Sequence, residues 1–564
     1  MNKQSGIFFA SSFSSFTWRT ACISLMICAT LTSYAEAEPK NHAKPSVPAP
    51  PIVNNSASTS KDLSKQKEQN IDSTKNADTA KKANAQQDNE QQPSEEAERL
   101  FKRGKKFIQQ DDVSQGLDLL KKAASLGHGG AAYMAADCLY NAKGCPRNVQ
   151  AAITLYRAAA DLGNTAAQLA IGNIYRFGNG INKNFGQAIA FLSKAAGLGD
   201  PRAKNALAEM IAAGQGTDKD YQKAFKLFSE AAASGDTNAM VNLGDLYALG
   251  HGVEKDHLKA IEWYKKAAAK NNNRAYYRLG YCSEIGLGVK QNRSQAIKDY
   301  DKAGKLGFPL GWTRIGRLYD LGLGVEPNFK QALKYYEKAA NFKDGTALTV
   351  LGLYYEQGLK VKQNQAKALK YYIKAADLEY GEGANMLGRL YTEGKFVPKN
   401  SETAANLFYQ AGEDGSLNGL CNSGNCYYYG IYRGQDYRTA CENYKVAADL
   451  NNPIGLYNYA ICQGRGLGTK KDAEGAIDNF TKSAQLGCIP AMYKLSEIYE
   501  KGTLIDANHD KAKYWQQQAE SKINTPEQKT QIDNMYCRQD KNNSRLPVLK
   551  AYYYNPTDIV VYRY

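Results

Sequence analysis

The chain has 564 residues, long enough for several domains, with 72 basic against 56 acidic side chains and a formal net charge of +16. Its five histidines (His42, His128, His251, His257, His509) stand in no H-E-x-x-H or other ligand spacing, and no Ser, His and Asp set stands out. No metal, no cofactor and no catalytic residue is therefore expected. The positive charge comes with no recognised nucleic-acid-binding fold, so nucleic acid is not expected as a partner.

Residues 1–37 read as an export signal. Basic Lys3 and Arg19 precede an apolar stretch at 21–31, and Ala35-Glu36-Ala37 forms a small-x-small cleavage site. The apolar run is too short for a good transmembrane anchor. A lipid-anchored alternative at Cys28 is opposed by the bulk of Ile27 just before it. The expected location is exported: periplasmic, cell-surface or secreted. Residues 38–93 begin Pro-rich (Pro45, Pro48, Pro50, Pro51) and continue in Lys, Asn, Gln, Ser and Asp. They carry too little apolar surface to offset the entropy of ordering and are expected to be a disordered linker, spanning roughly 40 Å r.m.s.. Residues 94–111, SEEAERLFKRGKKFIQQD, are expected to form a polar-faced N-terminal capping helix.

From residue 112 the chain repeats. Asn or Asp stands at Asp112, Asn148, Asn184, Asp220, Asp256, Asn292, Asn328, Asn364, Asn400, Asp436, Asp472 and Asn508, every 36th residue, and Ala follows four residues later each time except at Gly116. The tract DHLKAIEWYKKAA puts Ala260, Trp263, Tyr264, Ala267 and Ala268 on one face of a helix that Asp256 caps. A second helix precedes it in each unit, as in Val241-Asn-Leu-Gly-Asp-Leu-Tyr247, and ends at a glycine (178, 214, 250, 286, 322, 358, 394, 430, 466, 502) suited to a left-handed C-cap. A hairpin of 36 residues is too small to bury its own apolar faces, so neighbours must stack. Residues 112–523 are expected to be all-α, a right-handed α-solenoid of about 11–12 helical hairpins.

The array's pattern, A-x-x-x-L-G-x-x-Y-x-x-G-x-G-V-x-x-D/N-x-x-x-A-x-x-W/Y-Y-x-K-A-A-x-x-G, resembles the Sel1-like repeat, a relative of the tetratricopeptide repeat. That resemblance implies a non-catalytic scaffold or adaptor with a protein or peptide partner. It also implies that the L-G-x-x-Y helix lines a concave groove, with positions three before, one after and four after its Gly pointing inward. Those phases hold Asn173, Arg176, Asp245, Tyr277, Tyr281, Glu284, Arg317, Asp320, Glu356, Arg389, Asn425, Tyr428 and Tyr457, which differ from copy to copy as the residues of a specific groove, or of an unconstrained surface, would. Their tyrosines and arginines are residue types enriched at binding hot spots.

Beyond the array, Thr525-Pro526-Glu527-Gln528 opens an expected C-terminal capping helix at 524–540, and residues 541–564 form a Tyr-rich tail outside the repeat. Lys122, Lys194, Lys266, Lys302, Lys338, Lys374 and Lys482 share one phase near the end of the helix that the Asn or Asp caps. There they complement the helix C-terminus and bury their stems, or form a stripe that attracts an acidic cell-wall polymer. Cys138, Cys282, Cys426 and Cys462 occupy a phase filled elsewhere by Ile, Met or Leu and act as small hydrophobes, with a Cys138 to Cys145 bridge left open. Gly464-Arg-Gly-Leu-Gly468-Thr-Lys470 looks like a phosphate loop but recurs as a helix-capping loop. Two other classes stand beside the scaffold: a cell-envelope enzyme or peptidoglycan-binding factor, and an ER-lumenal Sel1-type degradation adaptor with glycosylation acceptors at Asn54, Asn292 and Asn542.

Overall fold

The computed structural model describes residues 93–523, except 433, together with Leu549. The expected signal at 1–37, the linker up to residue 92, the C-terminal capping helix and all of the tail but Leu549 lie outside the described residues. The described residues hold 24 helices, most of them 13 residues long, from Glu95–Gln109 to His509–Glu520.

Capping explains where they start. Each of the twelve periodic Asn or Asp residues accepts a hydrogen bond from the amide three positions on, as Asn364 does from Lys367 at 2.9 Å. The first helix of the unit is followed by a left-handed glycine at all ten expected positions, and Ala142 takes that conformation, at φ 52°, where the glycine is missing.

The helices fall into two compact units, one of residues 93–211 with 216–218, the other of 212–215 and the chain from 219 on. In the first, Glu95–Gln109 packs on Val113–Ser125 as a full hairpin, and two more hairpins follow. The helix expected as a separate cap is thus the first helix of the first repeat. Its Gly104 lies so close to its partner that a Cβ on Gly116 would sit 2.8 Å from Ile108 and 3.0 Å from the Gly104 carbonyl. That contact explains the one missing alanine in the series.

In the second unit, Tyr221–Ala233 is followed by eight hairpins, Thr237–Leu249 with His257–Ala269 through Ile489–Lys501 with His509–Glu520. Ala296, Ala332 and Ala368 are fully buried, as are the rings of Tyr300, Tyr336 and Tyr372 four residues on. Each ring lies under the glycine of the preceding helix: a Cβ on Gly280 would meet the Tyr300 ring at 2.8 Å. Each buried ring removes enough apolar area from water for about 2–3 kcal/mol. The first helices of successive hairpins also touch one another, Asn273–Ile285 with Thr237–Leu249 and Pro453–Arg465 with Leu417–Tyr429 among them. A layer of first helices results, and its interior is polar.

Candidate functional site

Within that layer one arrangement recurs. Asp245 accepts the Tyr264 hydroxyl of its own hairpin at 2.6 Å and the Arg278 guanidinium of the next hairpin at 2.9 Å. Glu284 takes the Tyr300 hydroxyl at 2.6 Å and Arg314 at 3.1 Å, and Glu356 takes the Tyr372 hydroxyl at 2.7 Å, Lys395 at 2.9 Å and Arg389. Burial pushes the Glu356 carboxyl up, but Arg389 and Lys395 outweigh it and hold it below the usual range. Burial, and after it the same carboxylates, raise the hydroxyls of Tyr264, Tyr300 and Tyr372 well above the ordinary phenol value. These groups are bound to one another.

Most of the inward phases named from the sequence belong to this interior, which corrects their expected exposure. Arg176, Asp245, Tyr277, Tyr281, Glu284, Glu356, Arg389, Asn425, Tyr428 and Tyr457 are all at most 7% exposed. Asn173, Arg317 and Asp320 are half-buried, and Asp320 accepts the Tyr354 hydroxyl and Lys360. Arg176 pairs with Glu209 at 2.8 Å in the first unit. The reason is packing: these phases face the first helix of the adjacent hairpin, which covers them. Sequence differences between copies there reflect alternative internal pairings.

Five periods after Asp245, Tyr264 and Arg278 the same three places hold Asn425, Tyr444 and Asn458. The Tyr444 hydroxyl donates to Asn425 Oδ1 at 2.8 Å, and Asn458 Nδ2 approaches the same oxygen at 3.5 Å. The carboxylate and guanidinium have become two neutral amides. A carboxylate only accepts and a guanidinium only donates, so together they satisfy each other; an amide does both, so a pair of amides keeps capacity to spare. That capacity is used by Leu549. Asn458 Oδ1 accepts its backbone N–H at 2.7 Å, while Asn458 Nδ2 and Asn425 Nδ2 donate to its carbonyl at 2.9 and 3.0 Å. Leu549 is fully buried, in one apolar cluster with Tyr428, Tyr457, Ile461 and Cys462.

The amides continue towards the preceding hairpin. Asn425 Nδ2 donates to Asn422 at 3.3 Å, Asn422 to Asn385 at 2.8 Å, and Asn385 to Glu382 at 3.3 Å. The sequence reading found Asn425, Tyr428 and Tyr457 but not Asn458, Asn422 or Asn385. Their signal was there: asparagine is a poor mid-helix residue, and these helices contain it repeatedly.

Elsewhere the described residues hold no cluster of three or more His, Cys, Asp or Glu side chains fit for a metal. Lys266 lies 4.1 Å from the Trp263 ring centroid, Lys302 lies 5.9 Å from that of Tyr276, and Lys338 lies 5.0 Å from that of Trp312, so these stems pack on aromatic faces. Cys138, Cys282, Cys426, Cys441 and Cys462 are buried thiols, and burial pushes Cys282 up to about 12. Cys145 and Cys138 are unbridged, the Cys145 thiol donating to the Cys138 carbonyl at 3.4 Å.

The Sel1 repeat family model matches over residues 97–128, 130–164, 165–200, 201–236, 237–272, 273–308, 313–341, 346–380, 381–416, 417–452, 453–488 and 489–522. Among solved structures, an Escherichia coli protein described as a protective antigen of uropathogenic strains displaying an SLR fold is 29% identical, covering 74% of this chain and 92% of its own, with a TM-score of 0.37. A Sel1 repeat protein from Oxalobacter formigenes is 32% identical over 43% of this chain and 99% of its own, with a TM-score of 0.37. An immunity protein from Pseudomonas aeruginosa is 24% identical over 38% and 82%, with a TM-score of 0.32. No curated protein matches.

Proposed function

The chain belongs to the Sel1 repeat family, and from that premise we propose that it is an exported, non-catalytic scaffold that docks a polypeptide partner on the first helices around Asn425 and Asn458. One observation carries the reading. Two buried asparagines of the array hold the main chain of a residue that belongs to no repeat, Leu549, by its N–H and its C=O. Each such hydrogen bond contributes about 1 kcal/mol net and a buried leucine about 2 kcal/mol. That is enough to hold a chain segment and little enough to let it exchange. Export is supported by the basic, apolar and small-x-small succession within residues 1–37.

The test uses Asn425→Asp with Asn458→Arg, which puts the charged pairing of Asp245 and Arg278 in these two places and removes both amides that hold Leu549. Full-length wild type and variant are used to capture partners from the native compartment, and the bound proteins are identified by mass spectrometry. Wild type is expected to enrich a protein that the variant loses at equal helicity. Identical recovery by both, or retention of cell-wall polymer alone, would remove the docking site from this face. In the second case charge reversal at Lys302 and Lys338 should abolish retention.

A further inference from the structure

We propose that the Asn425–Asn458 site selects an extended polypeptide stretch bearing a leucine-class residue, and that Leu549 is its resident ligand, which a partner must displace. The inference rests on the scaffold reading above and adds what the site recognises and how access to it is controlled.

The hydrogen bonds define the ligand. Asn458 accepts from the N–H of Leu549 and donates to the C=O of the same residue, at 2.7 and 2.9 Å. This is the exchange that two facing residues make in a hydrogen-bonded pair of an antiparallel ladder. Asn458 therefore acts as a strand neighbour built from a side chain. A helical ligand has these groups engaged within itself and is not accepted at this site. Proline is excluded at the central place, because it has no N–H to give. The side chain of that residue goes into a site where Leu549 is fully buried in an apolar cluster with Tyr428, Tyr457, Ile461 and Cys462, so an apolar residue of leucine size fits and a charged one is costly to bury.

Amide capacity shows that the site is built for an occupant. Both hydrogens of Asn425 Nδ2 are used, one on Asn422 and one on Leu549, and both of Asn458 Nδ2, one on Asn425 and one on Leu549. Without Leu549 two buried amide hydrogens and the Asn458 oxygen lose their partners. Buried polar groups in that state draw in whatever main chain is available. A segment of the same chain is always available at high effective concentration, so it competes with any partner in trans.

The probe is a fluorescent peptide of residues 545–553, RLPVLKAYY, titrated into the full-length protein by anisotropy. Full-length Leu549→Asp is expected to bind it at least about tenfold more tightly than wild type, since a site nine-tenths filled from within loses a factor of ten in apparent affinity. Asn425→Asp with Asn458→Arg, added to Leu549→Asp, should abolish binding, as should a probe with Asp in place of its central leucine. In wild type, hydrogen exchange should show a slow Leu549 amide that becomes fast when excess probe is added. Leu549→Ala serves as a second emptied form, so that a folding defect in Leu549→Asp, read from helicity and melting, does not stand in for the result.

Equal binding by wild type and both emptied forms, still abolished by the Asp and Arg changes, would overturn the resident-ligand claim and leave the scaffold reading standing. No binding to either emptied form, with partner capture still dependent on Asn425 and Asn458, would overturn the proposed selection. Binding indifferent to the Asp and Arg changes would overturn both.

Discussion

A buried carboxylate that takes a hydroxyl from its own hairpin and a guanidinium from the next ties two repeats through one charge, so cutting it is felt at the junction. Arg389→Ala leaves Glu356 in the interior with only Lys395 as a cation, and a loss of about 3–5 kcal/mol is expected, read from urea unfolding of the full chain. A change under about 1 kcal/mol would mean that the pair is already solvated. The pH dependence has a fixed sign. The folded Glu356 carboxyl lies below its unfolded value of about 4.3, so its contribution is complete above that value and is lost as pH falls through the folded one. The stability gap between wild type and Glu356→Gln should therefore be widest near neutrality and narrow as pH drops below about 4. A gap independent of pH would show that the glutamate acts through shape and not charge.

At the scale of the helix, capping is the term that the period makes visible. Asn364→Ala leaves a first-turn amide unmatched and should cost about 1 kcal/mol, while Asn364→Asp should be nearly silent because other repeats cap with Asp. Calorimetric melting of the two variants separates capping from any further role of that side chain. Caps, glycine ends and the alanine and tyrosine faces were legible from sequence because each is a local requirement that recurs at a fixed spacing. The limits of the array and the meaning of the inward phases were not. Glu95–Gln109 carries none of the periodic caps, yet packing on Gly116 makes it a repeat helix. Asp245, Glu284 and Arg389 look like surface residues in any single copy; only contact between successive first helices, which no one hairpin encodes, turns them inward. Asn458 was missed for a related reason. Its importance comes from the replacement of a charged partner by a neutral one five periods on, and that shows only when the bonded partners are known.

At the scale of the whole molecule, stability within each unit is a chain of neighbour terms, because each hairpin packs on the next. Ala260 is 1% exposed, and Ala260→Asp puts an unpaired charge between helices, so several kcal/mol of local stability should go. Hydrogen exchange in the second unit should show protection lost first in the helices next to His257–Ala269 and later, or not at all, near residue 500. Uniform loss along that unit would mean one cooperative block rather than a series of coupled ones. A fixed period has another result, which concerns the two amides that hold Leu549. In such an array the place where a guest is received is an address, written in two letters of an otherwise constant text. Changing Asp245 and Arg278 to asparagine would copy that address five periods upstream, beneath Tyr264, away from the place that Leu549 fills. The copied site would stay costly to the fold until a guest arrived from outside, so the number and spacing of such addresses could be edited without altering the text between them.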